Sequence, residues 1–278
     1  MLGFRDSSKQ RSTLTFLGGT DMNNMQDHFT TISSEYRDIR TTDTEPIRHI
    51  KSKLKNLRTL HAVDVGCGAG RYVLELFEHL PNRLFLHCVD LNMHMLNSLS
   101  RFLSANDIRS FKTIQSPAEE IPLKDQSVNC VFTFNAIHHF DIQAFLQETS
   151  RLLKPGGFAF IYTRLRSQNA RSIWGQFFPK FTQKESRLYE IDELYHTISS
   201  FPALSLDEIA FFTYSRTESL EVLVDKALKR HYSTFALYAQ EEFAQCLEEF
   251  KQRLSMVFPD ASRICWQDEN VMLILHRR

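Results

Sequence analysis

His61-Ala62-Val63-Asp64-Val65-Gly66-Cys67-Gly68-Ala69-Gly70-Arg71 is the stretch that decides how this chain folds. A short apolar run enters three glycines at alternate positions, and a helix-like pattern follows. Glycine lacks a Cβ and accepts positive φ, so such a turn can be tight and can bring backbone N–H groups against a ligand. A plain strand-to-helix turn has the same look, so the weight falls on what comes next. Leu84 to Asp90 is a second apolar run ending in a carboxylate, and Asp90 stands 24 residues after Gly66. That interval suits a turn, helix, loop and strand in one βαβ unit. Asp90 is then placed to accept hydrogen bonds from a ribose diol; its alternative role is to cap the helix beginning near Met93.

The glycine spacing separates two cofactor classes. A dinucleotide turn has Gly-x-Gly-x-x-Gly facing a pyrophosphate, whereas here Gly70 comes one residue early. Val63 to Gly70 instead resembles motif I of the class I S-adenosylmethionine-dependent methyltransferases. Three more segments fit that family in order. Ala118-Glu119-Glu120-Ile121-Pro122-Leu123 resembles the loop near adenine, and Val131 to Phe140, with Ile137-His138-His139, the fourth strand and its turn. Glu148 to Gly157 resembles the helix and turn before strand five. The set is similar to the small-molecule branch that includes ubiquinone and menaquinone methyltransferases, and it covers Asp27 to Thr163.

The resemblance implies S-adenosyl-L-methionine as cofactor, S-adenosyl-L-homocysteine as product, and cofactor contacts from Asp64, Gly66, Cys67, Gly68, Asp90, Leu91, Ala118, Glu119 and Asn135. Two positions depart from the family pattern. Pro117 replaces a frequent Asp before the Ala-Glu pair, and Asn129 replaces the usual Asp at the start of strand four.

Composition narrows the alternatives. At 278 residues with 42% hydrophobic content, the chain can bury a full core. Lys plus Arg and Asp plus Glu are both 33, which argues against a protein held mainly to phosphate backbone, so no nucleic-acid partner is expected. A local basic cluster at Lys226, Lys229, Arg230 and His231 suits a helix end. Five scattered cysteines without a C-x-x-C pair, and no secretory leader, read as reduced thiols in a cytoplasmic protein. No two of them lie at ligand spacing, so no metal site is expected. No apolar run reaches transmembrane length.

Along the chain, residues 1–24 are polar and without period, and read as a flexible extension. The resemblance implies that residues 25–278 form one methyltransferase domain. Its first part, residues 27–57, has helical spacing, with Phe29, Ile32, Tyr36 and Ile39 on one face, and reads as a helical cover. Strand-like runs at 61–65, 84–89, 111–115, 128–134 and 157–163 alternate with helical patterns, and two more strands follow at 205–214 and 270–276. The expected fold is α/β: a doubly wound, mostly parallel seven-stranded Rossmann-like sheet with an antiparallel last strand. A helical insertion at about 217–260 opens the final hairpin, and insertions that long are usually covers or interfaces.

Several side chains are candidates for chemistry. His138 and His139 follow strand four and could act as a base; alternatively one caps the next helix and the other packs under the methionine arm. Tyr36 and Arg40 share a helix face, so Arg40 is either a partner for the cofactor carboxylate or a surface residue beside a core Tyr. Trp174, Phe177 and Phe178 line an acceptor pocket or belong to the core. Arg164 and Arg166, just past strand five, either attract an acidic acceptor or are solvated charges at a strand end. The expected function is methyl transfer to a small, partly apolar molecule. The alternatives are a tRNA wobble-base methyltransferase and a non-catalytic cofactor-binding protein with a partner interface.

Overall fold

The computed structural model describes residues 41–80 and 84–278. Seven strands form one sheet: β1 (Leu60–Val65), β2 (Leu84–Asp90), β3 (Phe111–Gln115), β4 (Val128–Phe134), β5 (Leu153–Thr163), β6 (Leu204–Glu218) and β7 (Ile264–Arg277). Their spatial order is β3-β2-β1-β4-β5-β7-β6, and β7 alone runs antiparallel to its neighbours. The doubly wound, mostly parallel α/β sheet with an antiparallel last strand expected from the sequence is thus present.

The inner strands read as largely apolar runs because both sheet faces are covered. Cys130 to Phe134 of β4 is buried throughout, while edge strand β3 exposes Lys112, Thr113 and Gln115. One face packs against α1 (Glu45–Lys53), α2 (Arg71–His79) and α3 (Met93–Ala105) through Ile47, Ile50, Leu76 and Leu99. The other packs against α4 (Ile142–Leu152) and α8 (Ile191–Ser199) through Phe145, Leu146, Leu194 and Ile198. Between β1 and its two neighbours the direction of winding reverses. Such a reversal leaves a crevice outside the carboxyl ends of the strands.

β6 and β7 stay paired from Leu204 opposite Arg277 to Glu218 opposite Ile264. β5 stops earlier, with Thr163 opposite Val271, so the two-stranded ribbon runs on past the sheet. The helical insertion sits at its tip, as α9 (Leu220–Leu228) and α10 (Gln240–Val257) joined by a 3-10 turn. Three short helices follow β5, α5 (Arg166–Arg171), α6 (Ile173–Phe177) and α7 (Phe181–Lys184), and the insertion packs on the last two of them. Trp174, Phe178, Phe235 and Phe250 give this cap a core of its own. No helix among the described residues is long and apolar enough to cross a membrane. The expected helical face of Phe29, Ile32, Tyr36 and Ile39, and the 1–24 extension, lie outside the described residues.

Candidate active site

The glycine turn is built as a close-approach surface. Gly66, Gly68 and Gly70 have φ of 71°, 53° and 87°, in the left-handed region that glycine alone occupies at low cost. Gly66 and Cys67 donate their N–H groups to the Val89 carbonyl at 2.8 and 3.0 Å, locking the turn onto β2. A Cβ at Gly66 would lie 2.6 Å from Ala136 Cβ and 2.9 Å from Phe140 Cζ, so this turn also abuts the turn after β4. Gly68 donates its N–H to Asp90 Oδ2 at 2.8 Å, and Asn92 N–H donates to Asp90 Oδ1 at 2.8 Å. The cap of α3 is Asn92, whose side chain accepts from the N–H groups of His94 and Met95. Asp90 is therefore not the helix cap; it faces the glycine turn. Burial raises its pKa, and its backbone donors oppose that rise.

Asp64, at the end of β1, is 2% exposed, and its Oδ1 has no hydrogen-bond partner among the described residues. Burial first, and then the neighbouring Asp90 charge, push its pKa well above the usual carboxylate range. An orphaned buried carboxylate oxygen beside a glycine turn calls for an explanation, and a cationic donor supplies one.

The loop after β3 is held by α4. The buried Glu148 carboxylate accepts the Ile121 N–H at 2.6 Å, and Arg151 donates to the carbonyls of Ile121 and Leu123 at 2.9 and 2.8 Å. Arg151 also binds Glu148 through two donors, each at 2.7 Å. Within that loop Ala118 is buried and Glu119 accepts the Asp141 N–H at 2.9 Å. Leu91 is exposed beside Asp90, a free apolar edge on the same rim. Asn129, by contrast, accepts the His61 N–H at 3.1 Å at the amino ends of the strands, far along the sheet from these groups.

Asn135 follows β4 in the left-handed region at φ 54°, and its Oδ1 accepts from Asn270 Nδ2 at 3.2 Å. A non-glycine residue held in that region is a strained backbone of the kind that clusters at functional sites. His138 and His139 come next on a 3-10 turn (Ile137–His139), their ring centroids 4.1 Å apart. Arg187 Nη1 faces His139 Nδ1 at 3.5 Å.

From this turn a cavity of about 1050 Å³, counted to its open mouth, extends under the cap. Its walls carry Asn135, His138 and His139 on one side and Trp174, His231 and Tyr232 from the cap on another. Charged residues line it as pairs. Asp43 receives both Arg216 contacts at 2.7 and 2.8 Å, Asp268 receives Arg164 at 2.6 Å, and Glu185 receives Arg187 at 2.6 Å. Glu218 is paired with Lys226.

Arg164 is thus not a solvated charge at a strand end. It is 9% exposed, because β7 carries Asp268 alongside it. Arg166 does reach the surface, where it pairs with Glu193. Among the aromatic candidates, Trp174 lines the cavity, Phe178 is buried in the cap core, and Phe177 leans on Phe258. The basic cluster divides as well. Lys226 and His231 face the cavity, Lys229 pairs with Asp225, and Arg230 lies over Phe243.

A model of the methyltransferase domain matches residues 63–161, the segment that contains every turn just described. That segment is a methyltransferase domain of the class I S-adenosylmethionine-dependent kind. Among relatives of this methyltransferase, the uncharacterized protein YafE of Escherichia coli is 33% identical over 89 residues, 31% of this chain and 43% of that one. The ubiquinone biosynthesis O-methyltransferase of Rickettsia bellii is 24% identical over 198 residues, 68% of this chain and 80% of the relative. In fold, the YcgJ protein of Bacillus subtilis superposes with a TM-score of 0.62 at 15% identity, covering 85% of this chain and 99% of YcgJ. Some tRNA methyltransferases also match, over less than half of their own length.

The cofactor of this methyltransferase is S-adenosylmethionine, and the groups present fit it. Its methionine arm carries an ammonium, the kind of donor that the orphaned Asp64 Oδ1 lacks. The side chain missing at Gly66 lets the glycine turn close against Ala136 and Phe140 of the turn after β4. Gly66, Cys67, Gly68, Asp90, Leu91, Ala118, Glu119 and Asn135 all lie at or just past the carboxyl ends of β1 to β4. Tyr36 and Arg40 lie outside the described residues. Sequence reasoning missed the cavity charges Asp43, Glu185, Arg216, Glu218 and Asp268. A signal for some of them existed. Arg216 and Glu218 in β6, and Trp266, Asp268 and Asn270 in β7, recur every second residue and so point to one face of the ribbon.

Proposed function

We propose that this methyltransferase acts on a small molecule that enters the cavity between the strand ends and the helical cap. The observation that carries the reading is the position of that cavity. It opens beside Asn135 and His138, next to the glycine turn, and the cap's Trp174 and Tyr232 form its opposite wall. When bound, S-adenosylmethionine supplies the activated methyl group. The protein's part is then to exclude water and hold an acceptor atom close to that methyl, which by positioning alone lowers the barrier substantially. The aromatic faces offer packing for an apolar part of the acceptor, and the paired charges offer hydrogen bonds to a polar part.

His138 is the side chain placed to accept a proton from an acceptor hydroxyl or amine. The Arg187 guanidinium can only donate, so at His139 Nδ1 it favours the tautomer with the proton on Nε2. The ribose hydroxyls belong on Asp90, and the adenine between Leu91 and the Ala118-Glu119 loop. Pro117 offers no N–H, so backbone groups of neighbouring residues and apolar packing hold the base.

The test supplies methyl-labelled S-adenosylmethionine together with bulk tRNA and a small-molecule extract. Label in the low-molecular-weight fraction is the expected result. Label in tRNA, which the matches to tRNA methyltransferases make the second reading, would overturn it.

A further inference from the structure

Four carboxylates line the cavity under the cap: Asp43, Glu185, Glu218 and Asp268. In three of them both oxygens are occupied. Asp43 takes two contacts from Arg216, and Arg187 donates to the two oxygens of Glu185 at 2.8 and 2.6 Å. Asp268 has Arg164 on one oxygen and Arg216 at 3.8 Å from the other. Glu218 differs. Lys226 holds its Oε1, while its buried Oε2 has no hydrogen-bond partner among the described residues.

A complementary orphan lies in α5. Asn169 lines the same cavity and is 5% exposed, and its Nδ2 has no partner among the described residues. Its backbone is fixed, with the N–H donated to the Leu165 carbonyl at 2.8 Å and its own carbonyl accepting the Ser172 hydroxyl at 2.7 Å. A buried donor or acceptor left unpaired is disfavoured by about 1–3 kcal/mol, so two in one cavity call for a common cause.

We propose that Asn169 and Glu218 select the methyl acceptor. Asn169 donates to a carbonyl-type oxygen of that molecule, and Glu218 accepts from an N–H or O–H that is not the methylated group. The last torsion of an amide or carboxylate side chain is soft, so both groups can turn to meet the acceptor as it enters. Trp174, five residues after Asn169 on the same wall, packs against its apolar part. The inference rests on the small-molecule reading above and names the chemistry that the cavity selects.

The experiment uses the full chain, saturating methyl-labelled S-adenosylmethionine, and a small-molecule extract diluted in steps. Asn169→Leu and Glu218→Gln should each raise the amount of extract needed for half-maximal labelling by about tenfold, the scale of one lost hydrogen bond. Calorimetric binding of S-adenosylhomocysteine should stay at the wild-type level, which also reports that both variants are folded. Asn169→Leu should raise the melting temperature of the unliganded protein, since it removes an unpaired donor from a buried position. The wild-type labelled product, moved into deuterium oxide, should gain mass from at least one exchangeable hydrogen. Reaction of that product with a succinimidyl ester would assign the hydrogen to an amine, and no reaction to a hydroxyl. Unchanged half-maximal labelling in either variant, or a product without exchangeable hydrogen, would overturn the proposal. So would a lower melting temperature for N169L, because the amide would then have a structural partner. Wild-type protein that labels nothing of low molecular weight would overturn the small-molecule reading and this inference with it.

Discussion

Gly68 N–H and Asp90 Oδ2 meet at 2.8 Å across 22 residues of chain, so the glycine turn and the end of β2 form one unit. The carboxylate orders the turn and, with its remaining lone pairs, stays available to a ribose. Replacing Asp90 with Ala removes both roles. We expect cofactor affinity to fall by about 1.5–3 kcal/mol, the scale for losing a charged acceptor. Calorimetry with S-adenosylhomocysteine checks it, and unchanged affinity in a folded variant would sink the assignment.

Gly66 tests the close-approach argument from the steric side. Its φ of 71° and the 2.6 Å that a Cβ would leave to Ala136 disfavour any side chain. Gly66→Ala is expected to destabilise the protein by about 1–3 kcal/mol through strain and displacement of the Ala136 turn. Gly68→Val should leave a cooperative unfolding transition while removing the thermal shift on adding S-adenosylhomocysteine. A full shift in that variant would show that backbone proximity is the wrong explanation.

Asp64 carries a stability cost, because its burial disfavours the charged carboxylate. Its folded pKa is raised above the usual 3.8, so the folded state holds the proton more tightly than the unfolded one. The unliganded protein therefore gains stability as pH falls from the raised value toward 3.8, and the cost is in full force above it. Asp64→Asn should raise the melting temperature at neutral pH, flatten its pH dependence over that window, and weaken S-adenosylhomocysteine binding. A variant that is less stable at neutral pH would mean the carboxylate has a partner that stabilises it.

The Arg164–Asp268 pair ties the exit of β5 to the overhanging ribbon. Removing one member strands the other in a site where Arg164 is 9% exposed. Asp268→Ala should cost about 3–5 kcal/mol, measurable by denaturant unfolding, with the loss of protection in hydrogen exchange concentrated in residues 164–174 and 264–270. A cost near zero would show that Arg164 relaxes to solvent.

The sequence by itself determined the fold class and the cofactor. Strand periodicity, largely apolar runs at β1 and β4, and the glycine turn at a fixed distance from Asp90 are local properties that survive in one dimension. The placement of Gly66, Gly68, Asp90, Ala118 and Asn135 at one edge of the sheet followed from the βαβ rule, since every parallel strand delivers its carboxyl end to the same side. Tertiary structure alone decided the cavity. Asp43, Arg164, Arg187, Arg216 and Asp268 come from separate elements, and nothing local in any of them names its partner. Asp43 and Arg216, 173 residues apart, meet only because β6 and β7 continue past the end of β5 and carry their charges over the strand ends. An ion pair is a property of two surfaces brought together, and its partners are fixed by the packing that joins them.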